Sequence, residues 1–306
     1  MSDSMDGSTL LHGRRRVLFG LAAAAGFAAT ARTMPAWSAS VAAAPAWPLW
    51  SVEGKGSRVY LFGETPPRVH DWHDARIEGL LPECSALWTE TSHKHRADMQ
   101  SLLTRFATAP DQPLSSWLTK EDNARLAKAA EFCRVPLDSL ATYRPWAAGA
   151  SLQDTYYQVA GLSDKSADRV LVAQAEKAGI ATSSEFAMQD DVFAWFSSMT
   201  PAQDVQFLRY ALDEILAGPT EGERIYSDWS LGRADRATAI VNAMTEHYPE
   251  LVKKIVVERN RNWIPRFNAM LDNKKPAMTV VGLYHLVGPE SLLVQLKRSG
   301  LVVRRI

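Results

Sequence analysis

The end of the chain narrows the choice of fold more than any other stretch. "AMTVVGL", from Ala277, reads as a buried strand, "PESLLVQLKRSG" as a short helix closed by Gly300, and "LVVRRI" as a last strand. A long helix from about Pro249 to Leu271 precedes them, with Pro265 expected to kink it by removing one backbone hydrogen bond. Strands that alternate with helices in this way predict an α/β fold, a largely parallel sheet flanked by helices.

The same alternation opens the domain. Val59–Phe62 is a short apolar strand with glycines on both sides, and a helix from about Trp72 to Leu81 must stop before Pro82. A second strand, "CSALWTET", runs from Cys84 to about Thr89 and stops at Glu90. Between them and the C-terminal elements the chain is mostly helical, a helical insertion expected over about 114–248. "TPAQDVQFLRYALDEIL" is its clearest member: Thr200 caps, Pro201 takes the first helical position and Gln203 completes a capping box. "SADRVLVAQAEKAGIATSSEF" reads as a helix ended near Gly179, then a short strand closing on Glu185.

Ahead of all this stands "GRRRVLFGLAAAAGFAATAR", with a basic start, an apolar run from Val17 to Ala29 and an Ala-x-Ala site at Ala29-Thr30-Ala31. That run is shorter than the roughly 20 residues needed to span a bilayer. Residues 1–31 are therefore expected to be a signal peptide, of twin-arginine type because of Arg14-Arg15. Ser38-Ala39-Ser40 offers a second cleavage site. The expected location is the periplasm or the outside of the cell, with no integral membrane span after signal removal. The Ala/Pro-rich stretch 32–56 reads as an exposed linker, and 57–306 as the folded domain.

Composition excludes little but excludes it firmly. Thirty-four basic and thirty-four acidic residues cancel, so no charge footprint draws this chain to nucleic acid. The two cysteines, Cys84 and Cys133, lack metal or redox spacing and leave two readings open: one disulfide, or two inert buried thiols.

Ligands of parallel sheets bind beyond the carboxyl ends of the strands. Three expected strands end there in polar groups: Glu64, Glu90 and, just past Gly282, His285. On the long helix, Val256, Arg259, Asn260, Trp263 and Phe267 share one face that is otherwise apolar. An arginine on such a face needs a partner, and Glu90 suits a bidentate pair with it. Each group also has an ordinary role open to it, Glu64 as a turn acceptor, His285 as a helix cap, Arg259 and Asn260 as a structural network. His70, His73, His93 and His95 read as solvent-facing.

At these residues the sequence resembles the TraB/GumN family, which also contains the Tiki metalloproteases. "VYLFGETP", "ALWTET", "ERNRNW" and above all "VVGLYHLVGPESLLVQLKRSGLVVRRI" carry the resemblance, with "RPWAAGASL" and "ATSSEF" fitting more weakly. The family's two Gly-x-x-His motifs are thought to hold a divalent metal with an acidic residue. Here the second is intact as Gly282-Leu283-Tyr284-His285, whereas the first ends in Pro66. The resemblance thus implies a metal-dependent hydrolase, possibly a peptidase, acting on a peptide or small molecule, with its first metal motif degenerate. The implied ligands are Glu64, Glu90 and His285 around an oxygen-favouring ion such as Mn²⁺, with Glu64 or Glu90 as general base and Arg259 and Asn260 positioning substrate. The rival expectation is a non-catalytic binding or envelope-assembly protein on the same fold.

Overall fold

The computed structural model describes residues 47–66, 68–92, 98–163 and 165–306, so the expected signal peptide and His93 and His95 lie outside the described residues. Its frame is a six-stranded sheet in the order β4-β3-β5-β2-β1-β6. The strands are β1 (Leu49–Gly54), β2 (Ser57–Glu64), β3 (Ala86–Thr91), β4 (Ala181–Phe186), β5 (Ala277–Gly282) and β6 (Val302–Arg305). β2, β5, β3 and β4 run parallel, as the alternation of elements predicts. β1 is antiparallel to both β2 and β6.

β1 corrects the linker expected over 32–56. Its register with β2 runs from Leu49 opposite Phe62 to Gly54 opposite Ser57, around a tight turn in which Lys55 and Gly56 have positive φ. Trp47, Leu49 and Val52 are buried against the sheet. Tryptophan and alternating apolar residues outweigh the prolines that precede them, because burying each such side chain is worth about 1.5–3 kcal/mol.

The helical insertion is likewise not one block. The Ala167–Lys177 helix and β4 belong to the sheet layer, with Ala167, Leu171 and Ala175 packed in the same apolar cluster as Leu87 and Val281. The Pro219–Ser230 and Asp235–His247 helices also reach this cluster through Ile225, Trp229, Ala237 and Val241, while two further clusters form around Trp146, Phe193 and Phe207 and around Leu126, Leu152 and Leu212. Thr200 caps the Pro201–Ala217 helix through the expected capping box with Gln203. Cys84 and Cys133 fall in different clusters and are free thiols, each pushed up to about 12 by burial, so no disulfide joins them.

The long C-terminal helix comprises Pro249–Val252, a π-helical turn Lys253–Val257 and Glu258–Leu271, and it runs on through Pro265. Its departure from α geometry therefore sits just before Arg259, a placement common near functional sites. The face expected to be buried is buried: Val256, Arg259, Asn260, Trp263 and Phe267 all point inward.

One buried carboxyl in the helical layer gives a pH test. Gln153 Nε2 and the Tyr157 hydroxyl donate to Glu214 at 2.6 and 2.8 Å, and burial pushes the Glu214 carboxyl up to about 8 against the pull of those bonds and of Arg68. A raised carboxyl stabilises the fold in its protonated form, so that stability is full below the unfolded value of 4.5 and is lost as pH rises towards about 8. Thermal melts of Glu214→Gln and the parent chain should therefore diverge across that window in favour of the variant. Parallel curves from acid to alkaline pH would show that Glu214 is not held protonated.

Candidate functional site

The parallel register brings the expected strand ends together. Glu64 closes β2 opposite Gly282 of β5, and Glu90 of β3 accepts the Gly282 backbone N–H at 2.6 Å. A Cβ on Gly282 would stand 3.4 Å from the Glu90 carboxylate, a contact that a side chain could make. Gly63 is tighter: a Cβ there would meet Leu286 at 2.6 Å and Trp229 at 2.8 Å, and the Trp229 indole N–H donates to its carbonyl at 2.7 Å. Of the two motif glycines, Gly63 is required by packing, not by turn conformation.

His285 is buried just beyond β5. Its Nδ1 lies 2.7 Å from Asn260 Oδ1, while Asn260 Nδ2 donates to the Glu290 carbonyl at 3.0 Å. Since the amide oxygen can only accept, Nδ1 carries the proton and Nε2 keeps its lone pair. Burial pushes His285 down to about 3, with Arg259 adding to the effect and Glu90 opposing it. The ring is neutral at physiological pH and packs on Trp263 at 4.5 Å between centroids.

Arg259 ties the strand ends to the helix. Its Nη2 donates to Glu90 at 2.7 Å, Nε and Nη2 both donate to Glu185 at the end of β4, and Nη1 lies 3.5 Å from His285 Nε2. The bidentate partner is therefore Glu185, not Glu90. Trp263, Phe186 and Trp195 surround the guanidinium at 5.0, 5.5 and 5.5 Å from their ring centroids. Burial opposes its charge, but Glu90 and Glu185 outweigh that and hold its pKa above the ordinary value. Burial likewise opposes the charge of Glu90, yet Arg259 keeps that carboxyl below the usual range.

In front of this network lies a cavity of about 50 Å³, lined on its polar side by Glu64, Glu90, Asp168 and His285 and on its apolar side by Met244, Val256 and Leu283. Arg259 and Asn260 stand behind it and hold His285 and Glu90 in place, rather than touching what the cavity would contain. His70 is exposed with its ring 5.4 Å from that of Tyr226, and His73 is exposed and paired with Glu78, so neither joins the site. Sequence reasoning missed Glu185 and Asp168.

A divalent ion needs several deprotonated donors around one point. His285 Nε2 and Glu90 Oε1 lie 3.8 Å apart, but both oxygens of Glu90 are already bonded, to Gly282 and Arg259. Glu64 accepts instead from the Asp168 backbone N–H, and Pro66 has no side-chain donor atom. Among the described residues no three His, Cys, Asp or Glu side chains gather closely enough to hold an ion. The Glu64, Glu90 and His285 set does not, as arranged, fit a metal centre, and the positive charge in this network is that of Arg259.

Comparison with curated proteins gave no match, and comparison with solved structures gave none either. A family profile described as TraB/PrgY/gumN matches residues 48–305, starting within one residue of β1 and ending with β6. The match spans every strand of the sheet and the residues of the cavity, and the chain belongs to the TraB/PrgY/gumN family.

Proposed function

We propose that the chain is an exported hydrolase that cleaves a peptide or another small acyl compound by acid–base chemistry in the cavity beside Glu64. One observation carries this reading: ionisable groups from separate elements, Glu64, Glu90, Asp168 and His285, converge on one partly apolar cavity at the carboxyl edge of the parallel strands. Burial first, then the neighbouring Asp168, hold the Glu64 carboxyl well above its ordinary value, as suits a group that must both take and give a proton. Glu64 takes a proton from water as the water oxygen bonds to the substrate carbonyl carbon. It returns that proton to the leaving atom as the old bond breaks.

Export through the twin-arginine route follows from Arg14-Arg15 and the apolar run behind them. Pro66 favours a second reading, a binding protein that keeps the fold and has lost catalysis, because proline stands where the family motif has its histidine.

The test uses mature protein recovered from the periplasm and a panel of dipeptides and small esters. Glu64→Gln should lower turnover of any accepted substrate by a factor of about 100 or more. Arg14→Lys with Arg15→Lys should keep the precursor inside the cell. No turnover across the panel by the parent protein would favour the binding reading, and unchanged export would refute the route.

A further inference from the structure

The cavity beside Glu64 lies where the sheet layer meets the helical layer, and its lining divides accordingly. The polar lining comes from the strand ends and the Ala167–Lys177 helix, through Glu64, Glu90 and Asp168. Much of the apolar lining comes from Met244, near the end of the Asp235–His247 helix, and from Val256 in the π-helical turn. Both side chains belong to the apolar cluster around Trp146 and Phe193, and both residues are 4% exposed. The backbone ties their helices end to end, since Tyr248 N–H donates to the Met244 carbonyl at 2.7 Å and Val252 N–H to the Tyr248 carbonyl at 2.9 Å. This wall is part of the core, not laid over it.

Room is short. The cavity holds about 50 Å³, whereas an apolar cavity that accepts benzene measures ~150 Å³. An aliphatic group of about one to three carbons fits, and a ring does not. The two apolar residues set that limit unequally. Methionine is unbranched and adapts to a neighbour's shape, but valine has one dominant rotamer in a helix, so Val256 does not turn aside. Charge is excluded as well, because a charged group pressed on Met244 and Val256 would lose its water and gain no partner.

Resting on the hydrolase reading, we infer that Val256, with Met244, selects the substrate of this site: the reacting carbonyl carries a small aliphatic acyl group, of alanine to valine size, that packs on these two residues while the carbonyl faces Glu64. Aromatic, long or charged acyl groups are refused. The leaving part of the substrate lies outside this volume, so its size is not selected. One methylene too many in an apolar pocket lowers selection by about 10–200-fold.

Methyl NMR of the full chain reads the pocket without turnover. The Met244 methyl signal, assigned by its loss in Met244→Leu, should move on titration with propionamide or isobutyramide. Isovaleramide, one methylene longer, should need a concentration about 10-fold higher or more. Val256→Ala, shown to be folded by its thermal melt, should respond to isovaleramide as the parent does to isobutyramide, a gain that damage to the fold would not give. A Met244 signal that no amide moves, that isovaleramide moves as readily as isobutyramide in the parent, or that shows no gain in folded Val256→Ala would overturn the proposal. Turnover is measured separately, with esters that share one leaving group: kcat/KM for the isobutyryl ester should exceed that for the isovaleryl ester by about 10-fold or more, and Val256→Ala should close the gap. Amide binding in this order with no ester cleaved would refute hydrolysis and leave the pocket's selection standing. Cleavage with no preference between the two acyl groups would refute the selection and leave hydrolysis standing.

Discussion

Arg259→Ala should destabilise the chain by roughly 3–5 kcal/mol, the usual cost of leaving buried carboxylates without their cation. Glu90 and Glu185 both end on this guanidinium, and its side chain is only 3% exposed. Water therefore cannot replace it. The helix carrying Arg259 would lose its link to β3 and β4, and the three aromatic rings around the guanidinium would face a void. Urea denaturation of the variant checks the figure, with Arg224→Ala as the control. Arg224 pairs with Glu221 at the surface, and its loss should cost at most about 1 kcal/mol. Equal midpoints for the two variants would mean that the network at the strand ends contributes little.

Asp204→Ala should have an effect of similar size, roughly 3–5 kcal/mol, in the helical layer. Asp204 is fully buried and accepts from Arg144 Nε at 3.0 Å, from Arg144 Nη2, and from the backbone N–H of Trp146 at 3.0 Å. It thereby caps the Pro145–Val159 helix from outside, and the same arginine reaches the Ser197 carbonyl at 2.7 Å. Burial pushes the Asp204 carboxyl up, and Arg144 and Trp146 counter it, so the aspartate tolerates burial only because of these partners. Asp204→Asn keeps the shape and removes the charge, and its loss should fall between parent and alanine. Amide exchange in the first turn of the Pro145–Val159 helix should quicken in the alanine variant, while protection in β5 stays as it was. A variant as stable as the parent would show that the "RPWAAGASL" stretch is held by apolar packing alone.

The sequence marks the strands whose ends form the site, because short, nearly continuous apolar runs followed by acids or His285 are local signals. Arg259 and Asn260 are legible for the same reason, as polar residues on an apolar helical stripe. Glu185 is less so. "ATSSEF" closes on an acid just as "ALWTET" does, yet it lies within a long helical stretch, and only the pairing of β4 with β3 brings it beside Glu90. Asp168 lies two residues after the N-cap Ser166, in a first helical turn where an acid is common for reasons of helix polarity. Nothing local distinguishes it, and its role comes from a contact with a residue 104 positions away. β1 is hidden by the prolines and alanines before it, which mimic a linker.

Metal dependence separates this account from the one the family resemblance implies. The full chain, freed of metal by a chelator, should be melted alone and then with Mn²⁺, Mg²⁺, Co²⁺ or Zn²⁺ added. A ligand that binds only the folded state raises its stability by about 2.7 kcal/mol at a hundredfold excess over its dissociation constant. Because Glu64 is bonded to Asp168 and Glu90 to Gly282 and Arg259, the account predicts no such rise with any of the four ions. A rise of several degrees that disappears in both Glu64→Ala and His285→Ala would contradict it and would restore those two residues as ligands of a shared ion.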